Sequence, residues 1–223
     1  MYRIITVERE YGSGAGEIAR ELANRLGWKL WDHELTEEIA KLSQVECSAV
    51  EKFEERIDGT FRRLAKVFWR GSYERAMPLS DAQSFDADCF VATGKEVMTQ
   101  AAAAGNCVIV GRGAPYFLRE QPDAFHVFCY APRAEKIRRL RKIGKSEQEA
   151  EDLVDTVDRD RIIFVKHYFN ADWPTRSLYH LMLNTAIGNE NVISTILNTM
   201  HALEKKSNVS LTDFPEHEIH SQR

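Results

Sequence analysis

Glycines and cations are the residues of this chain whose spacing suits them to chemistry. Near the start, Gly12, Ser13, Gly14, Ala15 and Gly16 make a glycine-rich turn. An apolar run (Ile4, Ile5, Val7) precedes it, and Ile18, Ala19, Leu22, Ala23 and Leu26 follow at helical spacing, with Gly27 as a stop. Strand, glycine turn and helix in that order aim backbone N–H groups and a helix N-terminus at phosphate oxygens. Such loops add a lysine and a hydroxyl after their last glycine, and here Ala15 and Gly16 stand in those places. The backbone from Ser13 to Glu17 is the expected cradle, and its missing charge must come from elsewhere. Arg9 and Arg20 are the nearest replacements. Arg9 lies in the loop itself and is the expected one, because a guanidinium forks onto phosphate oxygens. Glu17 suits the positive end of the helix better than it suits a metal held through water.

Further cations recur downstream. Arg112, between Gly111 and Gly113, follows a buried run and falls at the carboxyl edge of the sheet, where open α/β folds bind ligands. Its flanking glycines permit close backbone approach. Arg133, Lys136, Arg138, Arg139, Arg141, Lys142 and Lys145 make a basic helix and turn opposed only by Glu135. Lys136 and Arg139 share one helical face, and Arg138 and Lys142 another. Aromatics do not interleave with these cations, which argues against nucleic acid as the partner. Asp158 and Arg161 sit one turn apart, so both can reach the same ligand. Cations converging on one point suit phosphoryl transfer, which needs charge neutralised, reactants aligned and water kept out.

The elements that position these residues follow from hydrophobic pattern. Buried strands are predicted at residues 4–7, 107–110 and 127–130, with weaker ones at 29–31 and 181–183. Helical patterns separate them, which argues for right-handed crossovers and a parallel sheet. Between residues 33 and 104 the helical pattern (33–42, 49–57, 61–69 and 90–104, with a polar stretch at 71–88) exceeds one crossover, and reads as an inserted helical subdomain. Ser146 and Glu149 make a capping box opening a helix that runs to about residue 167. Residues 192–203 fit a closing amphipathic helix, and 205–223 read as a mobile tail.

Composition bounds the rest. A chain of 223 residues is one domain, here with an insertion, and its hydrophobic fraction of 43% supports a sizeable core. Net charge of −4 gives no general attraction to nucleic acid or an acidic membrane. No apolar run approaches a bilayer span and the first residues enter a strand directly, so a cytoplasmic location is expected. Cys47, Cys89, Cys107 and Cys129 lack ligand spacing and read as buried thiols. The histidines are dispersed, and no metal site is assigned to them.

Five stretches together resemble the cytidylate kinases. They are Gly12-Ser13-Gly14, Trp31-Asp32, Val110-Gly111-Arg112-Gly113, Ala131-Pro132 followed by Lys136 and Arg139, and Asp158-Arg159-Asp160-Arg161. The sequence is most similar to a divergent cytidylate kinase-like branch reading R-x-Y-G-S-G near the start and G-R-G-A near the middle, over residues 3–200. The resemblance implies an α/β P-loop NTPase three-layer fold with a five-stranded parallel sheet, a helical monophosphate-binding insertion and a short lid. Here that means a core of residues 1–32 and 105–204, a lid at about 144–172 and the insertion at 33–104. It implies a nucleoside monophosphate kinase moving the γ-phosphoryl of ATP, with Mg2+, to a pyrimidine nucleoside monophosphate such as CMP or dCMP. The implied catalytic cations are Arg9, Arg112, Lys136, Arg139 and Arg161. Gly12, Ser13, Gly14, Ala15, Gly16 and Glu17 would bind ATP, and Asp32, Arg112, Asp158 and Arg161 the monophosphate.

The sequence departs from that pattern at the loop lysine and at the acids that bracket the central glycine–arginine pair, here Val110 and Gly113. Glu8 or Asp32 would then organise magnesium. These departures keep two alternatives open: a nucleotide-binding regulatory module with little turnover, and a P-loop kinase for another small molecule. Phe61, Phe68, Trp69 and Tyr73 would pack within the insertion or form a homodimer contact.

Overall fold

The computed structural model of the protein describes residues 1–46 and 87–208. All six residues of β1, Ile4–Arg9, are buried. A strand buried on both faces belongs inside a parallel sheet covered by helices on each side. β1 is followed by α1 (Ala15–Leu26), β2 (Lys29–Trp31), α2 (His33–Glu46), α3 (Ala87–Ala104) and β3 (Cys107–Val110). Then come α4 (Ala114–Phe117), β4 (Ala124–Tyr130), α5 (Arg133–Lys142), α6 (Glu147–Phe169), β5 (Leu181–Asn184) and α7 (Asn189–Asn208). The sheet has five strands in the order β2-β3-β1-β4-β5, and every pairing is parallel. Ile4 of the central strand sits opposite Cys107 on one side and Ala124 on the other.

One face, carrying Ile5, Val7, Val108, Val110, Phe125 and Val127, packs against Ile18 and Leu22 of α1 and Val192, Ile193 and Ile196 of α7. The other face, carrying Ile4, Cys107, Ile109 and Ala124, packs against Leu35 and Ile39 of α2, Val97 and Met98 of α3, and Phe164 and Val165 of α6. A third cluster lies off the sheet, where Leu140 of α5 and Ala150, Val154 and Val157 of α6 close around Tyr11 from the glycine turn. Helix α6, which falls within the stretch expected to be a lid, is thus packed onto the loop through one aromatic side chain.

All five predicted strands form, three of them longer than the apolar run alone marks: β1 continues to Arg9, β4 starts at Ala124 and β5 ends at Asn184. Strand pairing, which adds backbone hydrogen bonds irrespective of side chain, accounts for the added residues. Ser146 caps α6, accepting from the Glu149 amide at 3.1 Å. Helix α7 runs to Asn208, four residues into the stretch that polarity marked as a tail. The helices expected at 49–57 and 61–69, the aromatic residues from Phe61 to Tyr73, and residues 209–223 lie outside the described residues. Cys107 and Cys129 are buried free thiols.

Candidate active site

A parallel sheet releases every strand at one edge, so the segments after β1, β2, β3, β4 and β5 meet there. The segment after β1 is the glycine loop. Gly12 and Gly14 take φ of +74° and +78°, a region a β-carbon disfavours. Gly14 starts α1 with no side-chain cap, and its carbonyl accepts from the Glu17 and Ile18 amides. Among the described residues, nothing accepts from the amides of Gly14, Ala15 or Gly16. Converging amides at a helix N-terminus form an anion cradle. Ser13 adds a hydroxyl that is buried and bonded to nothing among the described residues.

Charged side chains hold this loop from behind. Asp158 on α6 accepts from the Tyr11 amide and from Arg161 Nη1, each at 2.9 Å. Arg161 Nη1 also donates to the Arg9 carbonyl at 2.8 Å. Lys136 on α5 passes its β-carbon over Gly12, where a Cβ would come within 3.0 Å of it. Its Nζ meets Glu10 Oε2 at 3.0 Å and Asp158 Oδ2 at 3.6 Å. Arg139, one turn later, donates to the Ser13 carbonyl, to Thr185 Oγ1 at 2.8 Å and to the Thr185 carbonyl at 3.0 Å. Its Nε is bonded to Glu135 at 2.9 Å. Thr185, directly after β5, donates its hydroxyl to the same Ser13 carbonyl at 2.6 Å. The loop is therefore bolted to α5, α6 and the end of β5.

The exit of β3 is a tight left-handed turn: Gly111, Arg112 and Gly113 have φ of +65°, +56° and +71°. A Cβ on Gly111 would lie 1.5 Å from Arg9 Nη1, so only glycine leaves room for the Arg9 guanidinium. Arg9 is buried there, with Nη1 3.5 Å from Glu8. Burial pushes its pKa down, as does nearby Arg161, while Glu8, Asp32 and Asp158 pull it back up. Burial likewise pushes Arg112 down to about 10, opposed by Asp32, so it stays charged at neutral pH. Arg112 Nη1 lies 3.9 Å from Asp32 and donates to the Val110 carbonyl at 3.4 Å.

A cavity of about 1260 Å³ opens over this edge. Of the site residues expected from sequence, Arg9, Gly12, Ser13, Gly14, Ala15, Gly16, Glu17, Asp32, Arg139 and Arg161 line it. Arg112, Lys136 and Asp158 stand behind the lining instead, joined to it through Asp32, Glu10 and the Tyr11 amide. Arg20, Arg138 and Lys142 also face the cavity. Sequence reasoning passed over Glu10, Tyr11, Glu135 and Thr185. Glu10 and Tyr11 stand inside a loop read for its glycines, Glu135 was legible only as the one acid of a basic helix, and Thr185 carries no motif. Among the described residues no three His, Cys, Asp or Glu side chains group to hold a metal ion, and no helix is long and apolar enough to cross a membrane.

The architecture is shared with known proteins. An uncharacterized protein from Eubacterium ventriosum ATCC 27560 is similar with a TM-score of 0.62 at 18% identity, over 89% of this sequence and 98% of that one. A gluconokinase from Sinorhizobium meliloti 1021 is similar with a TM-score of 0.53 at 13% identity, over 93% and 97%. At such identities the likeness is one of fold, that of the P-loop kinases. No curated protein matches the sequence. Residues 4–187 match the cytidylate kinase-like family, a stretch that holds the glycine loop, the Gly111–Gly113 turn and the basic helix, and the chain belongs to that family.

Proposed function

We infer that the protein is a nucleoside monophosphate kinase that moves the γ-phosphoryl group of ATP to a pyrimidine nucleoside monophosphate, CMP or dCMP. The extent of the cavity supports this most. A pocket for one small ligand measures about 300–1,000 Å³. This one, at about 1260 Å³, runs from Asp32 and His33 past the glycine loop to Gly188 and Asn189, which leaves room for two substrates.

In this reading the loop amides and the Ser13 hydroxyl hold the donor's phosphates, with Arg139 beside them. Asp32, with Arg112 behind it, faces the acceptor, and Arg9 and Arg161 stabilise charge between the two. Lys136 and Asp158 act by fixing the loop. An acceptor phosphate oxygen forms the new bond to the γ-phosphorus as the bond to the β,γ-bridging oxygen breaks, leaving ADP. Magnesium fits this lining, since one or two carboxylates and substrate phosphates suffice for it. Asp32 is the expected carboxylate that lines the cavity and would hold it, Glu8 being buried against Arg9 outside the lining. When bound, the ion neutralises charge on the phosphates.

One observation favours a nucleotide-binding module with little turnover. Arg9, Arg112, Lys136 and Arg161 each lie within ion-pair distance of a carboxylate of the protein itself, so their charge is already offset. An ADP-release assay with ATP, magnesium and a panel of nucleoside monophosphates separates the two readings. Turnover with CMP or dCMP above the other acceptors is expected. Arg112→Ala and Arg161→Ala should each lower it by roughly tenfold or more, a loss of about 1.4 kcal/mol of transition-state stabilisation. ATP binding without turnover on any acceptor would establish the module instead.

A further inference from the structure

The charge that this loop lacks must come from a cation that no carboxylate has already matched. Around the loop, Arg9 is matched by Glu8, Arg112 by Asp32, Lys136 by Glu10, Arg161 by Asp158 and Arg139 by Glu135. Arg138, exposed on the cavity wall, also forks onto Glu135. Of the arginines and lysines lining the cavity, two have no carboxylate or carbonyl partner among the described residues: Arg20 and Lys142.

Their positions differ. Lys142 ends α5, next to Ile143 and Gly144, whereas Arg20 is on α1, the helix whose first turn carries the loop amides. Side chains of an α-helix slant toward its N-terminus, so Arg20 lies over the turn before it. Four residues back on the same face is Gly16, which has no side chain to block the path. That interval is about 6 Å along the axis, which an extended arginine spans. A cation there faces the positive end of its own helix dipole, an arrangement that becomes favourable when an anion lies between them. A second observation marks the same spot as a ligand site: Ser13, 1% exposed and lining the cavity, has a hydroxyl with no hydrogen-bond partner among the described residues.

We propose that Arg20 takes the place of the loop lysine, neutralising the terminal phosphates of a nucleoside triphosphate seated on the amides of Gly14, Ala15 and Gly16. Arg9, on the other side of the loop, is committed to Glu8 and to the space over Gly111. The assignment rests on the reading of the loop as a triphosphate site, and the experiment separates the two.

Titration calorimetry measures ATP and AMP binding to the full-length protein and to Arg20→Ala, Arg20→Lys, Lys142→Ala and Arg119→Ala, the last removing an exposed charge paired with Glu120 outside the cavity. Arg20→Ala is expected to weaken ATP roughly tenfold or more and AMP by less than about twofold, a tenfold change being about 1.4 kcal/mol. Arg20→Lys is expected to recover most of the loss and Arg119→Ala to lose nothing. Because Arg20 is exposed and makes no bond to the described residues, thermal midpoints should be unchanged. Equal losses for ATP and AMP, or an ATP-specific loss in Lys142→Ala and none in Arg20→Ala, overturn the assignment while the site stands. A wild-type protein that binds no ATP overturns both.

Discussion

Lys136 shows how single residues are used at this site. An ammonium group with only 10% of its side chain exposed is stable when carboxylates meet it, and Glu10 and Asp158 do so from the loop and from α6. Lys136→Met would leave those carboxylates facing each other without their cation. A loss of about 3 kcal/mol is expected in urea denaturation, at the lower end for a broken buried pair because Glu10 remains partly in water. Adding Glu10→Gln should restore part of that loss, since the amide oxygen can still accept from the Ala131 amide. If the two changes simply add, to within about 0.3–0.5 kcal/mol, the pair is not coupled. The helical face of Lys136 and Arg139 was legible from spacing alone. That Lys136 would answer to Glu10, 126 residues earlier, was not, because no local pattern records a contact made across the sheet edge.

At the scale of elements, β1, β4 and the start of β5 are stitched by two histidines. Thr6 Oγ1 lies 2.7 Å from His126 Nδ1, the His126 amide donates to His180 Nδ1 at 3.0 Å, and the His180 amide donates to the His126 carbonyl at 2.9 Å. Burial first, and His180 second, pushes His126 down to about 4. The unfolded protein therefore binds the proton between about pH 6.5 and 4 while the folded protein does not. Stability contributed by neutral His126 is complete above that window and falls with pH inside it. The slope is about 1.4 kcal/mol per pH unit, for a total of about 3 kcal/mol. Urea midpoints measured from about pH 7 to about 4.5 should show this fall, and His126→Asn should flatten it. An unchanged slope in that variant would assign the acid sensitivity elsewhere. Sequence pattern placed these strands from their apolar runs, yet dispersed histidines in a sequence give no sign of which two will meet in one core.

Over the whole molecule, alternating strands and helices made the parallel sheet legible, and a parallel sheet in turn made the shared exit edge legible as the site. Glycine spacing likewise disclosed the loop, because left-handed turns favour glycine. What sequence left open was charge. A run of arginines reads as a positive surface, but in the folded protein Asp32 meets Arg112 and Glu10 and Asp158 meet Lys136 from other segments, while Glu8, Glu135 and Asp158 meet arginines of their own strand or helix. That balance governs how an anionic ligand arrives. The protein carries a net charge of −4, and apart from Arg20 and Lys142 the cations lining the cavity project little field beyond the carboxylates that meet them. Long-range attraction, which elsewhere speeds association by about 10–10³-fold, has little to act through here. Stopped-flow association of ATP should change by less than about twofold between low and high ionic strength, where the Debye length falls from about 30 Å to about 3 Å. A steep fall in the association rate would mean the carboxylates do not hold their cations in solution. The paired site thus makes nucleotide capture a matter of fit on contact, largely indifferent to the salt around it.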